Sequence, residues 1–236
     1  MPTEAPSAVA RLPESRRLYQ QVADRIRVLI AGGSFPAGSR LPAERDLAQQ
    51  LGVSRPSLRE ALIALEIDGS VDIRMGSGVY VTAAAAARGG QMMRPMGESP
   101  LELMQARAVI EGAVAALAAA RATPEGIADL RDCLAAMRTE IDAGRWPLGH
   151  DRQFHVSIAG MAGNSILTRL IGELFDERYS PISTQLSGHF ESREAWALAL
   201  AEHEAIVEEL EAGDPLQTEA AMRFHMQSSK RRWTRD

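Results

Sequence analysis

Residues 41–62, LPAERDLAQQLGVSRPSLREAL, constrain this chain more than any other stretch, because they read as two short helices joined by a tight turn. Leu47, Ala48 and Leu51 recur on one helical face, Gly52 can take the left-handed position that ends a helix, and Val53 covers the turn. Glu44 and Asp46 stand near the first helix's N-terminus. Ser54 is a good N-cap for the second helix, whose Leu58, Ala61, Leu62 and Leu65 repeat toward a core. The outer face of that helix offers Arg55, Ser57 and Arg59. Hydroxyls and guanidinium forks near a helix N-terminus suit phosphates and guanine edges in a major groove, so the pattern predicts a DNA-reading helix-turn-helix.

A wing is expected next. Val71 and Ile73 alternate with Asp72 and Arg74, Gly76, Ser77 and Gly78 make a turn, and Val79, Tyr80 and Val81 return as a second strand. Arg74 and the glycine tip would reach the DNA backbone or minor groove. Upstream, Val22, Ile26 and Ile30 keep helical spacing within Leu18 to Ile30. The order is three helices and a two-stranded wing, over residues 16–82.

The run from Gly32 to Val81, with its PAER, VSRP and REAL pieces, resembles the N-terminal domain of the GntR family of bacterial transcription regulators. The resemblance implies DNA contacts at Arg45, Ser54, Arg55, Ser57, Arg59 and the wing glycine Gly76.

A chain of 236 residues suits two domains, and 45% hydrophobic content with 5% aromatic residues and long Ala/Leu periodicities predicts a mainly α protein. Cys133 stands alone, which excludes an intramolecular disulfide; LRDCLAAM places it as a small buried helical residue. The net charge of −5 looks wrong for a DNA binder until it is divided. Residues 11–82 hold ten Arg and eight acids, a net of +2, whereas residues 99–229 hold ten Arg and twenty acids, a net of −10. The acidic balance suppresses nonspecific adhesion while arginines on the reading helix keep local attraction to phosphate. No signal peptide or membrane span is evident, so a soluble, cytoplasmic protein is expected.

Residues 1–15 are rich in Pro, Ala and Ser and read as a disordered tail, and residues 83–98 mix small residues, Gly, Met and Pro as a linker. Helical signals resume with caps at Ser99–Pro100, Thr123–Pro124 and Asn164. At least six helices are expected over residues 99–229, joined by short connections into an all-helical antiparallel bundle, with residues 230–236 as a tail. SGHFES, around His189, reads as irregular, and His150 and His189 are both expected at the surface.

The bundle carries its own polar constellation. Asp151 and His155 share a helix face at i and i+4, and His203 and His225 lie on two later helices, each inside an apolar repeat that points it inward. Any one of these histidines taken alone reads first as a satisfied core residue. Together, three imidazoles and a carboxylate form a borderline N/O ligand set for a divalent metal, Zn, Ni, Mn or Fe, with positions left for water or a ligand's oxygens.

Residues 99–229 also resemble the FCD-type ligand-binding domain of the FadR branch of GntR regulators. Arg107 and Glu111, Asp151 and His155 in DRQFH, Asn164 in AGN, His203 in EHEAI, and His225 carry that resemblance. It implies that Asp151, His155, His203 and His225 bind the metal and that Arg107 helps hold an organic-acid effector. Asn164 reads first as a helix N-cap and second as pocket lining, and Arg107 reads alternatively as the partner of Glu111 in a helix pair. SPLELMQARAVIEG and DERYSPI are similar to uronate-responsive members, which points to a hexuronate.

The expected function is a homodimeric, effector-responsive repressor that binds double-stranded operator DNA and controls organic-acid or sugar-acid catabolism. A dimer is expected because one short helix covers half an operator. A different class stays open, a metal-dependent hydrolase or lyase acting on a sugar acid and tethered to DNA, although no second carboxylate or activated nucleophile stands at a recognisable spacing beside the four ligands. An architectural DNA binder without effector would not need a polar-cored bundle.

Overall fold

The computed structural model describes residues 17–88 and 96–234. The expected tail at residues 1–15 and the middle of the expected linker, residues 89–95, lie outside the described residues.

The N-terminal half is built as its local signals dictate. Helices α1 (Leu18–Ala31), α2 (Glu44–Leu51) and α3 (Arg55–Ile67) are followed by strands β1 (Val71–Arg74) and β2 (Gly78–Val81). Gly52 ends α2 at φ +68, and Ser54 caps α3, its hydroxyl accepting from the Ser57 N–H at 3.2 Å. The strands pair antiparallel from Val71↔Val81 to Arg74↔Gly78. Tyr19, Val22 and Ile26 of α1 bury against Leu47 of α2 and Leu58, Leu62 and Leu65 of α3, with Val71 and Val81 of the wing closing the core. Burying one such aliphatic side chain contributes about 1.5–3 kcal/mol, which is why the apolar stripe rather than helix propensity holds this small unit together.

The second half is a bundle of α4 (Pro100–Ala119), α5 (Pro124–Asp142), α6 (Leu148–Met161), α7 (Ser165–Asp176), α8 (Pro181–Phe190), α9 (Arg193–Ala212) and α10 (Pro215–Thr234). Ser99, Thr123, Asn164 and Ser192 each accept a first-turn N–H through a side-chain oxygen, which fixes where α4, α5, α7 and α9 begin. α4 runs along α10, and α5 packs on α6 and α9. Cys133 is buried and its thiol reaches the His150 carbonyl at 3.1 Å.

Two expectations are corrected. The stretch SGHFES does not stay irregular: α8 continues through Phe190, and His189 is half-buried with Nε2 2.6 Å from the Glu66 carboxylate of α3. Packing against α3 supplies the burial that Ser187, Gly188 and His189 cannot supply as a local pattern. The expected C-terminal tail is helical as far as Thr234, because Trp233 is buried and anchors the last turn. The start of the expected linker, Ala83–Arg88, is a 3-10 turn whose Ala85 is buried beside α1, an ordered end to that segment.

The two halves are joined through α3. Glu60 accepts from the Ser99 hydroxyl at 2.9 Å and the Leu101 N–H at 2.7 Å at the start of α4, while Glu66 accepts from Gln185 at 3.0 Å beside His189. Every residue of α3 from Ser57 to Leu65 is buried.

Candidate metal and effector site

Four donor groups from α6, α9 and α10 converge inside the bundle. Asp151 and His155 come from successive turns of α6, His203 from α9 and His225 from α10, and all four residues are buried. The Nε2 atoms of His203 and His225 are 3.0 Å apart, and Asp151 Oδ1 lies 3.5 Å from His203 Nε2 and 3.7 Å from His155 Nε2. One nitrogen from each imidazole falls within 4.8 Å of the others. The separation of these residues along the chain is erased by the helix packing.

The electrostatics favour ligation. Burial, reinforced by His225 and His155, pushes His203 well below the ordinary imidazole range; burial also lowers His225, with the Glu202 carboxylate offsetting part of the effect. Neutral rings keep the lone pairs that a metal needs. His225 Nδ1 is 2.8 Å from Glu202, itself held by Arg232 at 2.7 Å, which fixes the ring and leaves Nε2 facing the cluster. His155 Nε2 is buried without a hydrogen-bond partner among the described residues. His203 Nδ1 is likewise buried and unpartnered, and such orphaned ring nitrogens fit a cation among these donors.

Arg107 stands at the edge of the same cluster. Its Nε donates to Glu111 at 2.6 Å, so the helix pair is present, yet Nη2 is buried and unpartnered among the described residues. Burial alone would raise the Glu111 carboxyl, but Arg107 and then His155, 2.5 Å away, outweigh it and hold that carboxyl well below the usual carboxylate range. Arg107, Asp151, His155 and His225 line one cavity together with Arg178, Phe190, Glu191, Trp196, Arg232 and Trp233. Asn164 is not in its lining: the residue is exposed and its Oδ1 accepts from the Ile166 and Leu167 N–H groups, so the capping role holds and pocket lining does not.

The residues expected to touch DNA are not presented together. Arg45 is exposed on α2, Ser54 is exposed at the start of α3, and Gly76 sits at φ +72 on the wing tip with nothing within 4 Å of where a Cβ would stand. Arg55 is half-buried. Ser57 and Arg59, expected on a bare outer face, are buried: Ser57 shares a hydrogen bond with Ser54, and Arg59 meets Glu44 at 2.6 Å and the Trp233 carbonyl at 3.3 Å. Phe190 and Trp233 of the C-terminal domain cover Arg59, which local periodicity cannot foresee.

With this geometry in view, residues 18–81 match the bacterial regulatory proteins of the gntR family and residues 102–228 match the FCD domain. The chain belongs to the GntR family, with an FCD domain after its DNA-binding module. The Exu regulon transcriptional regulator of Escherichia coli K12 is 33% identical over 227 residues, spanning 93% of this chain and 85% of the relative. The Uxu operon transcriptional regulator of the same organism is 35% identical over 230 residues, spanning 92% and 87%. The solved structure of E. coli McbR/YncC shares the fold, with a TM-score of 0.50 at 22% identity over 90% of this chain and 95% of that one. This GntR-family chain is therefore a DNA-binding transcription regulator and not an enzyme, which disposes of the hydrolase or lyase alternative.

Several cavity residues of this GntR protein escaped the sequence reading. Arg178 donates to Asp151 Oδ2 at 2.8 Å and Glu191 at 2.9 Å, so it holds the second oxygen of a candidate ligand. It lies 5.6 Å from the Trp196 ring and 5.5 Å from the Trp233 ring. Its segment DERYSPI drew notice only as a likeness, and Glu202, adjacent to His203, offered the one local signal for an outer partner.

Proposed function

We propose that this regulator is an effector-responsive repressor of sugar-acid catabolism, that it works as a homodimer on palindromic operator DNA, and that its effector is a hexuronate-type carboxylate bound beside a divalent metal. The observation that carries the reading is the shared cavity: a buried guanidinium with a spare N–H, Arg107, faces the same space as Asp151, His155 and His225. An unpaired buried donor on a cation costs several kcal/mol unless an anion meets it, so an acid is the natural occupant. The names of the Exu and Uxu relatives support a uronate-related role.

Asp151, His155, His203 and His225 would hold the metal, which would supply Lewis-acid coordination for effector oxygens; Zn, Ni, Mn and Fe all suit the donor set. Arg107 would orient the carboxylate as a fork, and Trp196 and Trp233 would offer flat apolar faces to a sugar ring. Arg45, Ser54, Arg55, Ser57, Arg59 and Gly76 would contact the operator. Within the described residues no helix is long and apolar enough to cross a membrane, which agrees with a cytoplasmic site of action.

Dimerisation is supported by an exposed apolar stripe. Val109, Ala113 and Leu117 on α4 adjoin Leu216, Ala220 and Phe224 on α10, where Gly112 lies under the Arg223 side chain. A contiguous patch on two antiparallel helices fits a second copy related by a two-fold axis.

The deciding experiment is calorimetry of the purified chain with D-glucuronate and D-galacturonate, with and without added Zn, Ni or Mn, paired with elemental analysis. Binding that needs metal, and loosening of a selected operator duplex on adding the sugar acid, supports the reading. A chain that contains no metal, gains no stability from one and ignores both uronates overturns it.

A further inference from the structure

A helix that reads a major groove needs one bare face, yet α3 is buried along its length between Ser57 and Leu65. The cover on one side is the effector domain itself. Arg59 is 9% exposed; its Nη1 donates to the Trp233 carbonyl at 3.3 Å, and its guanidinium lies 5.2 Å from the centre of the Phe190 ring. Trp233 stands in the last turn of α10, where carbonyls lack partners inside the helix and carry the negative end of the helix dipole. A guanidinium therefore meets there the same chemistry that a phosphate or guanine oxygen presents, an electronegative acceptor, together with a π face from Phe190.

The cover is shared with the cavity. Phe190 and Trp233 line the space that holds Arg107 and the histidine cluster, and the Phe190 ring and the Trp233 carbonyl meet Arg59 on the side of the recognition helix. Arg178 touches the wall from within, through Trp233 and through Glu191, the neighbour of Phe190. His225 and Trp233 also lie on one continuous helix, two turns apart, so a shift of α10 at the cluster is a shift of the acceptor for Arg59.

We propose that Phe190 and the C-terminal end of α10 form an autoinhibitory clamp on Arg59, an internal acceptor that operator DNA must displace before α3 can read a groove. The proposal rests on the assignment of Arg59 to DNA reading. The closed form and the DNA-bound form compete for one guanidinium, so weakening the clamp raises the population competent to bind DNA and tightens apparent affinity without adding any contact to DNA.

The test uses the full chain and a duplex selected from a random-sequence pool by the wild type. Arg59→Ala should bind that duplex at least about tenfold more weakly. Phe190→Ala should bind it about twofold to fivefold more tightly, the change expected for one cation–π contact. The double variant Arg59→Ala with Phe190→Ala should bind no more tightly than Arg59→Ala alone, because the clamp has nothing left to hold. Hydrogen exchange on the wild type provides a readout that needs no substitution: adding the duplex should accelerate exchange at residues 186–190 and 229–234. An equal gain from Phe190→Ala with and without Arg59 overturns the clamp, as does unaltered exchange at both segments when DNA binds. An Arg59→Ala protein with wild-type affinity removes the DNA-reading assignment first, and the clamp with it.

Discussion

His203 of α9 and His225 of α10 face each other Nε2 to Nε2 at 3.0 Å, two buried nitrogens that residues 204–224 separate along the chain. Two neutral imidazoles can share one proton between such atoms, or both can turn lone pairs to a cation, and the adjoining Asp151 oxygen favours the second arrangement.

The first prediction concerns that pair. Zn, Ni or Mn at about a hundred times its dissociation constant should stabilise the wild type by about 2.7 kcal/mol, the gain expected of a ligand that binds the folded cluster and not the unfolded chain. His203→Ala and His225→Ala should abolish the gain. Thermal melts with and without metal, alongside elemental analysis, give the answer; a wild type and variants that respond alike would show the cluster to be a polar core only.

Arg107→Lys should weaken carboxylate binding by about tenfold, or about 1.4 kcal/mol, since an ammonium is a point charge and lacks the planar fork that can hold Glu111 through Nε and a carboxylate through its outer nitrogens. Calorimetry with D-glucuronate is the measurement. Equal affinity would leave Arg107 as the structural partner of Glu111 and nothing more.

Glu60 provides a pH dependence. Burial, reinforced by Glu102, raises its carboxyl from 4.5 to about 7 against the opposing hydrogen bonds from Leu101 and Ser99, and Tyr19 is the other titratable group facing it. Between pH 4.5 and about 7 the folded chain keeps a proton that the unfolded chain has released, so this group's contribution to stability is fully present below 4.5 and lost as pH rises through 7. The loss is bounded at about 3 kcal/mol. Denaturant titrations of wild type and Glu60→Gln across that window should show a flatter profile for the variant, and parallel profiles would mean that the group does not carry the proton.

Arg45→Ala should lower affinity for DNA across sequences and reduce the salt slope by about one unit, because its side chain is 84% exposed on α2 and free to approach a phosphate. Gel shifts at two salt concentrations report both quantities. A relaxed base preference with an unchanged slope would instead make it a base reader.

Val109→Glu with Phe224→Glu should turn a dimer into monomer in sedimentation, since each substitution sets a charge on the exposed stripe of α4 and α10 without entering the bundle core. Sedimentation of both proteins as dimers would move the interface elsewhere.

What the amino-acid sequence determined by itself is what short-range physics specifies. Ser54, Ser99, Thr123 and Asn164 cap helices through bonds spanning two or three residues, Gly52 ends α2 in the left-handed region, and the alternation of Val71 to Val81 makes the wing. The inward faces of His155, His203 and His225 follow from helical period in the same way. Tertiary structure alone decided which faces meet. α3 carries apolar residues toward its own domain, but Arg59 is covered by Phe190 of α8 and Trp233 of α10, whose arrival depends on every intervening helix. The helical state of Ser187 to Phe190, the hold of Arg178 on Asp151 and the seat of Trp233 have the same origin. Period and capping are properties of a few consecutive residues, whereas the partner of a charged side chain is set by packing between segments far apart in the chain.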